Sequence, residues 1–368
     1  MSYQARAAVY RSEIGVETIS IEAPRRSELT VKLAACGVCH SDLSATNGTL
    51  ALPPPLVLGH EGAGVVVAVG EGVADIAIGD HVVTSFVSMC GKCRYCAIGR
   101  PTLCDQASKA IATLPDGTVR THDRNGDPLN VFCGCGVMAE FATLHVDNVV
   151  KIDASIPLES AALLGCAVTT GVGAVINTAR LVPGTTAVVF GAGGVGLNVI
   201  QGCRIAGATE ILAVDTVASK LELAQSFGAT AVLDAGREDN VVKAIRRLTR
   251  GGADYSFECV GQGSVAAQAF GVLRRGGTAV VIGVAPSKDM TSIGTMSLTL
   301  EEKTLTGSYF GSARPRDDFP RLLNLYRCGQ LKLDELITQR YGIEDAPRAF
   351  LDLTQGRNAR GMIVFETT

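Results

Sequence analysis

The run TTAVVFGAGGVGLNVIQGCRIAGATEILAVDT, residues 185–216, restricts the architecture more than any other part of the chain. An apolar stretch, a glycine turn, a helical stretch and a second apolar stretch ending on Asp215 follow one another without a break. Further strand-like runs come at TAVLDA (230–235), ADYSFECV (253–260) and TAVVIGV (278–284). Helical runs SKLELAQSFG (219–228) and DNVVKAIRRLTRG (239–251) lie among them. Alternation of β and α on this scale predicts an α/β, doubly wound parallel sheet with helices on both faces.

Within this run, Gly191, Gly193 and Gly196 form GAGGVG, an instance of GxGxxG. The pattern alone is weak. Here it follows a strand, opens a helix, and has an acidic residue nineteen positions beyond Gly196, at Asp215. That is the context a dinucleotide fingerprint requires. Gly191 permits the tight turn, Gly193 lets backbone approach a pyrophosphate, and Gly196 lets helix and strand pack closely. The helix N-terminus offers free N–H groups and a positive dipole end to phosphate. Asp215 accepts the hydroxyls of an adenosine ribose and repels a 2′-phosphate, which predicts NAD rather than NADP. Lys220 falls near the same ribose.

A different signal stands upstream. CGKCRYCAIGRPTLC (90–104) sets Cys90, Cys93, Cys96 and Cys104 close together. The N-terminus has no signal-peptide core, and no apolar run reaches the length of a membrane span, so a reducing, cytoplasmic location is expected. There, closely spaced cysteines are metal ligands rather than disulfides. A redox CxxC pair needs two cysteines and a thioredoxin-like context, neither of which fits four thiols here. Four thiolates close a tetrahedral zinc site and leave no open position, so this zinc would be structural.

The rest of residues 1–150 reads as short β-type runs broken by Gly and Pro, such as LTVKLAAC (29–36), GAGVVVAVG (62–70) and DHVVTSFV (80–87). An all-β or α+β domain with long loops is expected. DGTVRTHDRNGDPLN (116–130) reads as a polar surface excursion. After about residue 310 the chain turns helical (DDFPRLLNLYRCGQ) and ends in a strand, ARGMIVFE. A length of 368 residues suits two domains. Hydrophobic residues at 47% and charged residues at 19% supply large cores. A net charge of −3, with no Lys/Arg face, argues against nucleic acid as a partner.

Cys39 in CGVCHSD (36–42) and His60 in GHEGAG (59–64) are ligand types that zinc prefers. Asp42 and Glu61 are carboxylates beside them, and Asp42 suits the second nitrogen of His60. Cys166, in LLGCAVTTGVG, would complete a Cys₂His set with one open position, a catalytic arrangement. Spacing alone leaves these cysteines as either ligands or small buried apolar side chains. Cys36, Cys133, Cys135, Cys203, Cys259 and Cys328 are expected in the latter class.

With these motifs in order — GVCHSD, GHEGAGVV, the four-cysteine run, GCAVTTG, GAGGVG with its Asp, and GRNARG — the whole chain resembles the zinc-dependent medium-chain alcohol dehydrogenases. The resemblance implies a GroES-like catalytic domain (1–167 and 310–368) and an NAD-binding Rossmann domain (168–309). It implies two zinc ions per chain. Cys39, His60 and Cys166 would hold the catalytic one, with Glu61 behind it and able to exchange onto it. Cys90, Cys93, Cys96 and Cys104 would hold the other. Ser41 would hydrogen-bond the alcohol. His40 and Arg360 would contact the coenzyme pyrophosphate together with the turn at Gly191, Gly193, Gly194 and Gly196, while Thr170 and Val195 flank the nicotinamide. The 116–130 segment resembles the long form typical of dimeric members, and dimerisation would pair edge strands near 300–311. Many liver-type members relay the proton through a histidine where this chain has Ser44. The pocket would include Leu50, Phe86, Phe132, Val284 and Tyr309. That apolar set favours oxidation of primary aromatic, allylic or medium-chain alcohols to aldehydes.

Two alternatives accompany this reading. Glutathione-dependent formaldehyde dehydrogenases share GVCHSD but usually carry an acidic insertion where this chain has NGTLALPPP (47–55). A non-catalytic zinc-ribbon scaffold would need only the four-cysteine run, so the number of metal sites distinguishes it.

Overall fold

The computed structural model describes residues 2–366. In chain order the strands are β1 Tyr3–Tyr10, β2 Ile14–Ile21, β3 Glu28–Val38, β4 Leu56–Val57, β5 Gly62–Val69, β6 His81–Thr84, β7 Thr121–His122, β8 Asn130–Val131, β9 Phe141–His145 and β10 Val149–Ile152. Then come β11 Thr186–Phe190, β12 Glu210–Asp215, β13 Ala231–Asp234, β14 Ala253–Glu258, β15 Leu273–Val281 and β16 Thr304–Gly307. The chain closes with β17 Gln339–Tyr341 and β18 Gly361–Val364. Two compact units result: Met1–Cys166, Arg314–Cys328 and Leu333–Thr368 in one, Ala167–Ala313 and Gly329–Lys332 in the other. Residues 310–313 and 329–332 therefore fold with the second unit.

The first unit has two sheets, ordered β7-β2-β1-β4-β8 and β10-β6-β5-β3-β18-β17, with β9 also on β3. Side chains alternate across a strand, and β1 uses that alternation to serve two cores. Ala5, Ala7 and Val9 pack with Ile19, Ile21 and Leu129, whereas Ala8 joins the larger cluster around Leu29, Val31 and Leu33. Strand β3 is central and buried along nearly its whole length.

The segment 116–130 is a surface excursion in part, with 116–118 and 124–128 exposed, but the residues between and after them are built into the fold. Thr121–His122 in its middle forms β7 and Asn130 at its end begins β8; both strands complete the first sheet, and Leu129 and Arg120 are buried. Arg120 is accommodated because Glu28 takes its guanidinium in two hydrogen bonds, from Nε at 2.9 Å and Nη2 at 2.5 Å, and Asp116 takes a third at 2.7 Å. A buried charge is tolerable when so paired, and hydropathy alone cannot foresee the partner.

The second unit is built on a six-stranded parallel sheet in the order β13-β12-β11-β14-β15-β16. Its strand β11, TAVVF, is buried at every position, as expected when helices cover both faces. Strand order reverses between β11 and β14, which places a crevice at the carboxyl ends of these two strands. Among the described residues, no single helix is long and apolar enough to cross a membrane.

Candidate active site

Three strand ends of the first unit converge. β3 and β5 pair with Cys36 opposite Gly62, so Cys39, just past β3, comes beside His60 and Glu61, just before β5. β18 pairs with β3 so that Gly361 faces Val38, which brings Arg360 to the same end. Cys166 arrives from a separate turn, Leu163–Gly165. A Cβ on Gly165 would lie 2.9 Å from the Thr84 carbonyl and 3.1 Å from the Glu61 Cα, so a glycine is what lets this turn approach. At Gly59, φ is +94° and a Cβ would meet the Met138 nitrogen at 2.2 Å, which again only glycine avoids.

The donor atoms of Cys39, His60 and Cys166 lie within 4.8 Å of one another. The two sulfurs are 4.0 Å apart. A tetrahedron with bonds of about 2.3 Å has edges of about 3.8 Å, so the spacing suits zinc. Asp42, fully buried, accepts the Gly59 N–H at 2.7 Å through Oδ1, and its Oδ2 lies 3.2 Å from His60 Nδ1. That leaves Nε2 to face the sulfurs. Both ring nitrogens are buried and neither makes a hydrogen bond; Nδ1 has Asp42 as an ion-pair neighbour, and Nε2 has no such neighbour, a condition costing about 1–3 kcal/mol unless a ligand satisfies it. Two soft sulfurs, one such nitrogen and an open fourth position fit a zinc ion.

The electrostatics agree with that donor set. Burial lowers the pKa of His60, but the Asp42 carboxylate and the Cys39 sulfur more than offset it and raise it to about 10. The Cys39 thiol is held well below its ordinary value, chiefly by a hydrogen bond from Cys166, whose own thiol is pushed well up by the same bond. The shared hydrogen bond thus shifts the two thiols in opposite directions, and a bound cation would take the place of their protons. The rings of Phe86 and Phe132 stand edge-on to His60, with centroids 5.6 and 5.1 Å away.

A second group of donors, Cys90, Cys93, Cys96 and Cys104, also gathers within 4.8 Å. The Cys93 and Cys104 sulfurs are 3.9 Å apart, again close to a tetrahedral edge. Backbone N–H groups of Cys90 and Cys93 point at the Cys104 and Cys90 sulfurs, at 3.4 and 3.3 Å, as donors do in a thiolate knuckle. Gly91 and Gly99 adopt φ of +72° and +76° at the bends. Backbone N–H groups, Cys96's first, lower the Cys93 thiol to about 6.

In the second unit, Gly191 adopts φ +87° at the end of β11, and a Cβ on Gly196 would meet the Gly191 carbonyl oxygen at 1.8 Å. A Cβ on Gly193 would meet nothing within 4 Å, so the backbone there faces open space. Gly193 begins the helix Gly194–Ile205 with no side-chain cap, leaving its first N–H groups for an anion. Asp215 ends β12 and turns one oxygen to the Ala192 N–H at 2.8 Å, tying the acidic residue to the glycine turn.

Comparison with known proteins adds the decisive observation. Residues 25–154 match the alcohol dehydrogenase GroES-like domain, and residues 194–327 match the zinc-binding dehydrogenase domain. The chain belongs to the zinc-dependent medium-chain alcohol dehydrogenases. It is 42% identical over 369 residues to the NDMA-dependent alcohol dehydrogenase of Amycolatopsis methanolica, covering 98% of this chain and 99% of that one. It is 36% identical to the S-(hydroxymethyl)glutathione dehydrogenase of Saccharomyces cerevisiae, over 94% and 92% of the two chains. The solved benzyl alcohol dehydrogenase of Acinetobacter calcoaceticus superposes with a TM-score of 0.90 at 32% identity, covering 99% of this chain and 100% of that one. This dehydrogenase is accordingly an oxidoreductase acting on CH–OH groups, and the scaffold alternative falls away.

The remaining expected residues of the dehydrogenase take varied positions. Ser41 and Ser44 lie on the helix His40–Thr46, with Ser41 Oγ 3.6 Å from Cys39 Sγ and His40 exposed. Glu61 is fully buried and stands outside the three-donor group. Its carboxylate pairs with the buried guanidinium of Arg360, so the two are partners. Leu50 packs against the first unit's core. In the second unit, Thr170 is buried on the helix Ala167–Gly173, Val195 and Lys220 are half-buried, and Val284 and Tyr309 are exposed at 57% and 51%. Cys36, Cys135 and Cys203 are buried as expected, but Cys328 is exposed just past the helix Pro315–Arg327. Thr84 and Glu258 were not foreseen. Thr84 Oγ1 accepts the Gly62 N–H at 2.8 Å and so holds the start of β5. Glu258 had one visible signal, a charge closing the apolar run ADYSFE.

Proposed function

We propose that this dehydrogenase oxidises primary aromatic, allylic or medium-chain alcohols to aldehydes with NAD. The two aromatic rings edge-on to His60 carry the substrate reading, because they give the donor cluster an apolar, flat-sided wall. Cys39, His60 and Cys166 would hold the catalytic zinc, and the four-cysteine lobe a structural one. Zinc would supply a Lewis acid for the alcohol oxygen, and NAD a hydride acceptor for the carbinol carbon. Ser41 would accept a hydrogen bond from the alcohol hydroxyl, and the released proton would leave through Ser41 and the coenzyme ribose to water. Asp42 keeps His60 oriented through Nδ1. Phe86 and Phe132 would exclude water and align the substrate body. Asp215 would bind the adenosine ribose and the turn at Gly193 the pyrophosphate. The likeness to benzyl alcohol dehydrogenase supports the aryl preference.

The protein would act as a homodimer. Edge strand β16 has one neighbour, β15, and Met296 and Leu300 nearby are each 73% exposed, a surface that pairing would cover. Sedimentation of the wild type against Leu300→Asp tests this, with the variant expected as monomer.

Assays with NAD⁺ and NADP⁺ against ethanol, hexanol, benzyl alcohol, geraniol and S-(hydroxymethyl)glutathione test the activity. Fastest NADH formation from benzyl alcohol or geraniol is expected. Preference for the glutathione adduct would replace the substrate reading. A second reading follows from the likeness to the NDMA-dependent enzyme: turnover that proceeds with NDMA and gains nothing from added NAD⁺ would favour it.

A further inference from the structure

Glu258 is the last residue of β14, beside β11 at the carboxyl edge of the second unit's sheet. Its side chain is completely buried. One carboxylate oxygen, Oε1, accepts the N–H groups of Val260 and Gly261, both at 2.7 Å. The other, Oε2, is buried without a hydrogen-bond partner. It sits where Gly283, just past β15, makes room: a Cβ on Gly283 would lie 2.8 Å from it and 2.1 Å from the Gly261 nitrogen. A Cβ on Gly261, at φ +85°, would in turn meet the Val284 carbonyl oxygen at 2.7 Å. The carboxylate thus underlies two backbone turns, 259–261 and 283–284, that touch without side chains between them.

The first of these turns reaches the dinucleotide fingerprint. A Cβ on Gly191 would lie 2.9 Å from Val260 Cγ2 and 3.4 Å from the Cys259 carbonyl carbon. The Cys259 N–H donates to the Phe190 carbonyl at 2.9 Å. Val260 is 47% exposed and therefore forms an open wall beside the glycine turn. A carboxylate kept in an apolar interior is costly, and burial does raise the pKa of Glu258. Two short hydrogen bonds to one oxygen stabilise a fixed turn in return.

We infer that Glu258 is a positioning residue for the dinucleotide, which it serves by fixing the Val260–Gly261 turn against Gly191. The inference rests on the proposal that this unit binds NAD. The acceptor at Oε1, rather than the charge, does the positioning. Glu258→Gln keeps that acceptor, whereas Glu258→Met removes it while filling the same volume.

The experiment is calorimetric titration of NAD into the zinc-loaded wild type, E258Q and E258M, each below its melting temperature, with steady-state kinetics alongside. E258Q is expected within about twofold of the wild type. E258M should bind NAD about tenfold or more weakly, because losing both hydrogen bonds at Oε1 frees the Val260–Gly261 turn. Its KM for NAD should rise by a similar factor, while zinc content and the KM for alcohol stay as in the wild type. Equal NAD affinity in E258M and wild type would overturn the positioning role alone. A fall in E258Q as large as in E258M would also overturn it, since charge would then matter. Absence of NAD binding by the wild type would overturn the cofactor proposal, and this inference with it.

Discussion

Asp42 joins a backbone N–H through one oxygen and an imidazole through the other. Replacing it with Asn keeps an acceptor for Gly59 but removes the charge that holds His60 as a zinc ligand. D42N is expected to bind the catalytic zinc roughly 10- to 100-fold more weakly. Metal analysis after dialysis against a weak chelator should find one zinc lost and the four-cysteine zinc retained; loss of neither would refute the role. At this scale the sequence made the ligand types and the Asp42–His60 pairing legible, because both follow from known preferences of metal and imidazole. The Glu61–Arg360 pair was not legible. It joins residues 299 positions apart by way of register on β3, and no local pattern carries that information. Ser44 offers a further check. If the proton leaves through water at this position, S44H should shift the pH–rate profile for alcohol oxidation, and an unchanged profile would count against that route.

Elements make sharper tests than side chains where backbones touch. A methyl on Gly196 would need the space of the Gly191 carbonyl oxygen, 1.8 Å away. Gly196→Ala should therefore separate the helix Gly194–Ile205 from β11, costing about 3 kcal/mol by overpacking. Denaturant melts should register that loss, and NAD titration should find no saturable binding. The four-cysteine lobe makes the opposite prediction. Cys93→Ser should release one zinc and expose residues 88–106 to limited proteolysis, while the Cys39 site keeps its metal. Strands and helices of the second unit were legible as alternating runs, since a parallel sheet covered on both faces writes continuous apolar strands. β7 and β8 were not, because two-residue strands in a polar segment carry no pattern of their own and are defined by distant partners, β7 by β2 and β8 by β4.

For the molecule as a whole, acid should be the weak side. Desolvation opposes the charge on Asp116, but hydrogen bonds from Arg120 and Thr118 outweigh it and lower its pKa to about 2. Asp80, bonded to Lys151, and Asp352, bonded to Tyr341 and Arg357, are also lowered. Each folded carboxylate holds its proton less tightly than the unfolded chain, whose aspartates titrate near about 4. Their contribution is present in full above that pH and is lost as pH falls toward about 2. Melting temperatures taken from pH 6 downward should decline through this window. Asp116→Asn should decline less steeply than the wild type, a comparison in which acid release of metal cancels; parallel curves would exclude a part for Asp116.

The two donor clusters also differ in shelter. Cys39, His60 and Cys166 are buried, whereas Cys90, Cys93 and Cys96 are only partly covered. Oxidants and mercurials reach the second set first. The enzyme should therefore age from the outside: air would undo the lobe that keeps its shape before touching the atoms that do its chemistry, and a fading preparation would still hold intact active centres until the molecule itself gave way.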